Sequence, residues 1–401
     1  MRIHTIIVLA VALLPSLCCA AELKTAVHIH TTFSRGGKQT PEQVVARAAD
    51  KGLDAVIITD TLTTSFQYGL RPFENVAAVS LSQASILKRG PRAYLRELNR
   101  LRKQFPGMVI IPGTEAAAYY RWEGDPFKKL VMWDWNRHML VFGLEKPSDY
   151  SRMPSAGNPG SGRWAWQLLL AGALLLLAFW HFYRRLGRSG RILAGVLCAL
   201  ALFLLYPFKT PRWSIYSSAT PWEPYRALAD YAHSKGALAF WAHPEAPNWN
   251  PPQHFKGPLY VAADKYPEGL KLVPETDGFS VFMEGYKQGL EPGEYWDRAI
   301  QAYIAGERPV APWALAELDY VSPGYLGTDI DTAYMLVSAQ DRSPTAVLQG
   351  LRKGAFQSVM GSDMGAMKFT RWQLRGAQQT AEAGGQTTAA GELSLSVAVE
   401  K

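Results

Sequence analysis

Cysteine is almost absent from the chain: there are three in 401 residues, all in strongly apolar segments. Cys18 and Cys19 lie near the N-terminus and Cys198 in a later apolar run, so the polar remainder has no thiol. That excludes a disulfide framework there, and it excludes zinc held by thiolates. Formal charge is missing from two long stretches. Residues 164–183 carry none over twenty positions, enough to span a ~30 Å hydrocarbon core, and residues 192–208 carry none over seventeen. Between them Arg184, Arg185, Arg188 and Arg191 crowd one short loop. Two buried core helices are the alternative, but all-round apolarity and the tight basic loop favour a transmembrane hairpin with its loop in the cytoplasm. Of the net +8, four charges belong to this loop and one to Arg2, leaving +3 for everything else. The basic balance therefore reports topology, and no nucleic-acid partner is expected.

Residues 1–21 combine Arg2, an apolar core from Ile6 to Leu17, and small residues at Ala20 and Ala21. That is the plan of a signal peptide cut after Ala20, with an uncleaved anchor as the competing reading. An apolar content of 48% and 13 Trp provide for a substantial packed core, in two or three domains or in one barrel with insertions.

The stretch AVHIHTTFSRGGKQTPEQVVARAADKGLDAVIITDT, residues 26–61, reads as one β-α-β unit. A short β-branched run ends in His28-x-His30, and side chains two apart on a strand share a face. Thr40-Pro41-Glu42-Gln43 opens a helix as a capping box with Pro at its first position; Val44, Val45 and Ala48 mark its inner face and Gly52 ends it. The second strand ends in Asp60. A histidine pair on a strand is more often packing than metal ligation. Here the pair stands where a parallel strand meets its loop, the place where α/β folds bind ligands.

These residues resemble the opening of the polymerase and histidinol phosphatase (PHP) superfamily of metal-dependent hydrolases. The resemblance implies a distorted barrel of about seven β/α units with two or three metals at its strand ends. It departs from the family at Arg35, where Asp or His is usual, and at Thr61, where His is usual.

Further along, Leu95, Leu98 and Leu101 give the inner face of a helix over residues 91–105, and its arginines a solvated flank. MVIIPGTE is a third strand ending in Glu115; the resemblance makes this residue a bridge between two metals. The aromatics of residues 119–136 either line a substrate pocket or pack a long loop, and packing is favoured. His138 opens a fourth strand and His243 ends a fifth, LAFWAHP, both similar to the family's ligand segments. A capping box at Thr220 opens the helix before the fifth strand. The hairpin thus interrupts a single barrel between strands four and five. The last acidic ligand is Asp319 or Asp363. Gly361-Ser362-Asp363 copies a family motif, but the turn, strand and helix that follow that motif in the family follow Asp319 here, which favours Asp319. His4, His181, His233 and His254 receive structural readings.

The expected fold is α/β: a distorted (β/α)7 barrel of the PHP kind, interrupted by a two-helix transmembrane hairpin and followed by a small C-terminal β extension. The divisions are a signal peptide at 1–21, first barrel half at 22–150, linker at 151–163, hairpin at 164–208, second half at 209–356 and extension at 357–401. The extension resembles that of the carbamate-hydrolase-like branch. The ligand set implied by the resemblance is His28, His30, Glu115, His138, His243 and Asp319, for two divalent ions of zinc, manganese or iron. Arg35, Thr61 and Val321 stand where a third metal's ligands would be. Asp60 orients a water or a ligand histidine, or fixes the second strand; Arg35 offers a fixed cation to an anionic ester. The expected activity is phosphoester hydrolysis in the periplasm of a bacterial cell, from an inner-membrane anchor. Carboxyl-ester, amide or carbamate hydrolysis, or a silent sensor or scaffold, are the rivals.

Overall fold

The computed structural model describes residues 21–69, 78–164, 166–205, 209–210, 212–218, 221–246, 249–282, 287–361, 368–375, 380–382 and 394–400. The signal-peptide reading and Asp363 therefore lie outside the described residues. Nine strands form the main sheet: β1 (Ala21–Ile29), β2 (Ala55–Ile58), β3 (Val109–Ala116), β4 (Met139–Phe142), β5 (Leu238–Trp241), β6 (Gly278–Val281), β7 (Trp313–Ala316), β8 (Ala333–Ala339) and β9 (Phe356–Met360). The helices that concern the site and its attachment are α1 (Pro41–Asp50), α2 (Pro91–Gln104), α3 (Trp166–Tyr183), α4 (Arg188–Leu205), α5 (Glu223–Ser234) and α6 (Pro344–Lys353).

The strand order is β7-β6-β5-β4-β3-β2-β1-β8-β9. The sheet curls until its ends nearly meet. Just beyond β7, Tyr320 donates its N–H to the His28 carbonyl (2.9 Å) and accepts from His30 N–H (2.8 Å), so seven strands close on β1. The result is a mixed α/β, nearly closed, barrel-like sheet. It departs from seven like β/α units in one respect: β4 runs antiparallel to both β3 and β5. That reversal explains why a residue before a strand joins residues at the ends of others. His138 precedes β4, and the start of a reversed strand lies at the same mouth as the ends of its neighbours.

Two apolar layers hold the barrel. Leu23, Val27, Ala55, Ile57, Val109, Ile111, Leu140, Phe142, Leu238, Phe240 and Leu315 fill the interior, with the Phe142 and Phe240 rings stacked 5.6 Å apart. Ala26, Ile29, Val56, Ile58, Ile110 and Trp241 point outward beneath the helices. Strands buried on both faces need apolar residues at every position, which is why these segments read as unbroken runs. The α1 capping box forms as the residues imply: Thr40 Oγ1 accepts from Gln43 N–H, and the Gln43 side chain accepts from Thr40 N–H. The box expected at Thr220 lies outside the described residues; α5 starts at Glu223 behind Trp222, with no side-chain cap.

α3 is long and apolar enough to cross a membrane by length and composition. α4 follows after four residues and packs against it. Both carry large apolar side chains outward, including Trp166, 75% exposed, and Trp180, 71% exposed. β9, whose first residue is the last assigned to the barrel in the sequence reading, pairs along its length with β8. A three-stranded antiparallel unit of Lys368–Arg375, Thr380–Glu382 and Ser394–Glu400 comes last.

Candidate metal centre

Alternation alone would turn His28 and His30 away from the barrel mouth. On β1, Val27 packs in the interior while Ile29, two positions on, packs beneath the helices, so alternation breaks between them. The break is a bulge: the β1–β2 register shifts between Ala26 and Ile29, and His28 takes a left-handed backbone, φ 58°. His243, φ 27°, and Asp319, φ 48°, do the same at the ends of β5 and β7. A left-handed backbone at a residue with a Cβ costs on the order of 1–3 kcal/mol, and such strain gathers at functional sites. Glu115 needs no such device. It lies in phase with the inward Val109 and Ile111 of β3.

The six expected ligands come together at this mouth. Glu115 is at the centre: Oε1 lies 2.6 Å from His138 Nδ1, 3.3 Å from His243 Nε2 and 3.3 Å from His28 Nε2, and Oε2 lies 3.5 Å from His30 Nε2. Asp319 Oδ1 lies 3.0 Å from His30 Nε2 and 3.4 Å from His28 Nε2. Three overlapping groups have ligand atoms close enough to share an ion: His28, His30 and Glu115; His28, His243 and Asp319; Glu115, His138 and His243.

The far side of each ring decides which nitrogen faces the cluster. The Ser34 hydroxyl donates its one hydrogen to Asp60 (2.6 Å) and accepts from Thr61 N–H (2.7 Å), so His30 Nδ1, 2.9 Å away, is the donor in that pair. Tyr266 donates to the Ala242 carbonyl (2.5 Å), which leaves its oxygen to accept from His243 Nδ1 at 3.2 Å. His28 Nδ1 donates to the buried Glu317 carboxylate. In each case the Nε2 lone pair is left pointing at Glu115 and Asp319. Nε2 of His28 is a fully buried atom with no hydrogen-bond partner. Such an atom is costly unless something fills the role. Lone pairs and carboxylates converging without a hydrogen between them fit a divalent cation, and mixed imidazole and carboxylate donors suit zinc, manganese or iron.

The charges push the same way. Burial draws the His28, His30 and His243 pKa values down, but the facing carboxylates overcome it: His28 and His30 rise, and Glu115 and Asp319 bring His243 up to about 8. Burial works against Glu115 and Asp319 as anions too, and the surrounding imidazoles hold both below the usual carboxylate range. Positive charge is therefore favoured in the cluster as protons or as metal. The imidazoles' stabilising contribution is complete below their unfolded value, ~6.5, and is lost as pH rises through their raised values, about 8 for His243. That of Glu115 and Asp319 is complete above ~4 and is lost as pH falls through their lowered values. Added zinc or manganese should accordingly raise the melting temperature more at about pH 8.5 than at about pH 6, and binding near pH 7 should release protons. Thermal unfolding of stripped and loaded protein checks the first, and weakly buffered titration the second.

Asp60 is buried outside the cluster. It accepts from Thr31 N–H (2.7 Å), Thr31 Oγ1 (2.6 Å) and Ser34 Oγ, and burial raises its pKa. Of its open roles the geometry supports two, fixing the second strand and, through Ser34, orienting His30. Arg35 is exposed on the same loop. Thr61 Oγ1 lies 3.4 Å from Glu115 Oε2. The residues 119–122 aromatics pack: Tyr119, Tyr120 and Trp122 are buried, the last two against Phe66 and Tyr68. His233 pairs with Asp277 (2.8 Å), a structural contact.

Three residues that position ligands went unread in the sequence, Glu317, Ser34 and Tyr266. The signal for Glu317 was its place two residues before Asp319 at a strand end, where two carboxylates would share a mouth. Replacing it strands a buried Nδ1–H and frees the His28 ring to turn. Glu317→Ala should weaken metal retention by about 10–100-fold in competition with a chelator.

Residues 26–141 match the PHP domain. The matched segment carries His28, His30, Asp60, Glu115 and His138; His243 and Asp319 lie beyond it. Among solved structures, similarity is found to a two-domain protein containing a predicted PHP-like metal-dependent phosphoesterase from Bacteroides vulgatus ATCC 8482. It is 14% identical, with 95% of this chain and 86% of that one covered, at a TM-score of 0.40. A proposed metal-dependent phosphoesterase from Bifidobacterium adolescentis ATCC 15703 is 17% identical, with 76% and 90% covered, at a TM-score of 0.35. No curated protein matches the chain.

Proposed function

We propose that the chain is a membrane-anchored, metal-dependent hydrolase of the PHP type acting on phosphoesters. The observation that carries this reading is the convergence of three imidazole lone pairs on Glu115 and Asp319, with His28 Nε2 buried and unpartnered. His28, His30 and Asp319 would hold one ion and His138 and His243 a second, with Glu115 between them. Bound there, divalent ions would lower the pKa of a water and neutralise charge on a phosphoryl group. The chain's own share is positional. Glu317, Ser34 and Tyr266 lock three rings in their ligand tautomers, and Asp60 anchors Ser34. Arg35, exposed on the loop after β1, would supply a fixed cation to an anionic substrate.

Thr61 in place of histidine, with Arg35 and Val321 beside the same loop, supports two ions over three. α3 and α4 would form the hairpin anchor, with the arginine loop in the cytoplasm and the barrel in the periplasm. A second reading, carboxyl-ester or carbamate hydrolysis at the same site, is favoured by the three-stranded unit after the barrel. Metal analysis of the purified chain, with assays on model phosphate and carboxylate esters, tests both. Metal with phosphatase activity supports the first, and metal with carboxylesterase activity alone the second. Absence of both metal and hydrolysis would overturn the enzyme reading and leave a scaffold.

A further inference from the structure

A second sheet stands beside the barrel mouth: Gln253–Lys256, Leu259–Ala262, Lys129–Trp133 and Arg121–Asp125, in that order. Its two central strands are parallel, with Leu259 beside Leu130, and Leu130 N–H donates to the Pro258 carbonyl (2.8 Å). The turn before each of these strands therefore opens at the same end of the sheet. Phe127 stands in one turn, 82% exposed; Phe255 stands next to the other, 47% exposed. Lys128 and Lys129 follow Phe127 in the chain and Lys256 follows Phe255, all three exposed, with Lys129 Nζ 5.1 Å over the Tyr260 ring. The acid at this tip is Asp125, whose Oδ1 already accepts Phe127 N–H (2.8 Å). Elsewhere the sheet buries its large apolar residues, Trp122, Leu130, Met132 and Val261 among them.

We propose that the paired tips at Phe127 and Phe255 dock on an anionic phospholipid surface, the two rings entering the acyl boundary and the three lysines meeting phosphate headgroups. Exposed aromatics among lysines are what an interfacial anchor needs. The choice of lipid over a soluble partner comes from how the sheet is tied to the apolar helices, and to that extent it rests on the membrane-anchored reading. On the α4 side, Trp122 N–H donates to the Ile215 carbonyl (2.7 Å) and Tyr119 Oη to the Ser214 carbonyl (2.8 Å). On the α3 side, Ala156 N–H donates to the Ala118 carbonyl (2.9 Å). Both ends of the helix pair are thus fastened within a few residues of Arg121–Asp125, the strand that leads into the Phe127 turn. Ile215 lies ten residues past Leu205, the last residue of α4, at most about 35 Å of extended chain. A bilayer that holds α3 and α4 is within reach of the tips.

The test uses the full chain with Cys18, Cys19 and Cys198 replaced by Ala. An environment-sensitive fluorophore is attached at Phe127→Cys or Phe255→Cys, with exposed Ile304→Cys as control, in phosphatidylcholine vesicles with or without phosphatidylglycerol. Both tip probes should shift to the blue and be quenched by lipid-borne nitroxide when phosphatidylglycerol is present, and the control should not. Lys128→Glu and Lys256→Glu should each lower tip occupancy by about fivefold. Flotation separates the two readings. Chain that floats with the vesicles while its tip probes stay water-like would overturn the docking and leave the anchor standing. Chain that does not float would overturn the anchor, and the docking with it. Equal shifts in phosphatidylcholine alone would overturn the anionic assignment.

Discussion

Glu115→Gln should lower metal-dependent hydrolysis by several orders of magnitude, and its effect on the cluster should be visible without any assay of activity. Glutamine keeps the volume and one acceptor oxygen but loses the charge. Oε1 lies within 3.3 Å of ring nitrogens of His138, His243 and His28, and Oε2 lies 3.5 Å from His30. No other side chain reaches all four imidazoles among the described residues, so each of the two ions proposed here would lose a ligand at once. His28→Ala should weaken chiefly the ion proposed for His28, His30 and Asp319. In the metal-free protein Glu115 is also the main force raising His243 to about 8; without it, burial acts against Asp319 alone. The His243 pKa in Glu115→Gln should fall below about 8, and the extra stability conferred by metal at alkaline pH should shrink with it. Ring-proton titration by NMR gives the first and thermal unfolding the second. Wild-type metal content, activity and His243 titration in the variant would sink the central role given to Glu115.

The parts of this site that could be read in the chain are those that follow a period or a cap. The Thr40 box, the unbroken apolar runs and Glu115, in phase on β3, obey rules of spacing, and each forms as those rules require. The His28-x-His30 spacing points to the right mouth for a reason only partly correct. Sharing a strand face would have sent His28 outward with Ala26; a bulge and a left-handed backbone turn it in. Nothing in a residue pattern announces such a bulge, because its cost is met by contacts distant in sequence. The same holds for Glu317, 289 residues from the ring it holds. The reversal of β4 was equally hidden, since an apolar strand reads alike in both directions. α5 starts at Glu223 behind Trp222 with no side-chain cap. The tertiary contacts of a helix can set its start.

The pairing of β4 with β5 decides what a membrane can do to this chain. Phe142 lies opposite Leu238, and Val141, Leu140 and Met139 opposite Ala239, Phe240 and Trp241. These partners flank the whole segment that contains α3 and α4, so residues 142 and 238 are on one side of any bilayer. An odd number of crossings between them is impossible. α3 by itself is 18 residues, about 27 Å at 1.5 Å per residue and close to a hydrocarbon core of ~30 Å. If α3 crosses, α4 must cross back, although Arg188 and Arg191 lie in its first turn. Those arginines would then sit with Arg184 and Arg185 at the cytoplasmic face, where positive loops are retained. A reporter active only in the periplasm should therefore work when fused after residue 150 or at the C-terminus and be silent when fused at Gly187. Activity at Gly187 with silence at the other two would invert the orientation and keep the hairpin. Opposite results at residue 150 and the C-terminus would separate the two halves of one sheet by a membrane. Equal activity at all three positions would mean that neither helix crosses.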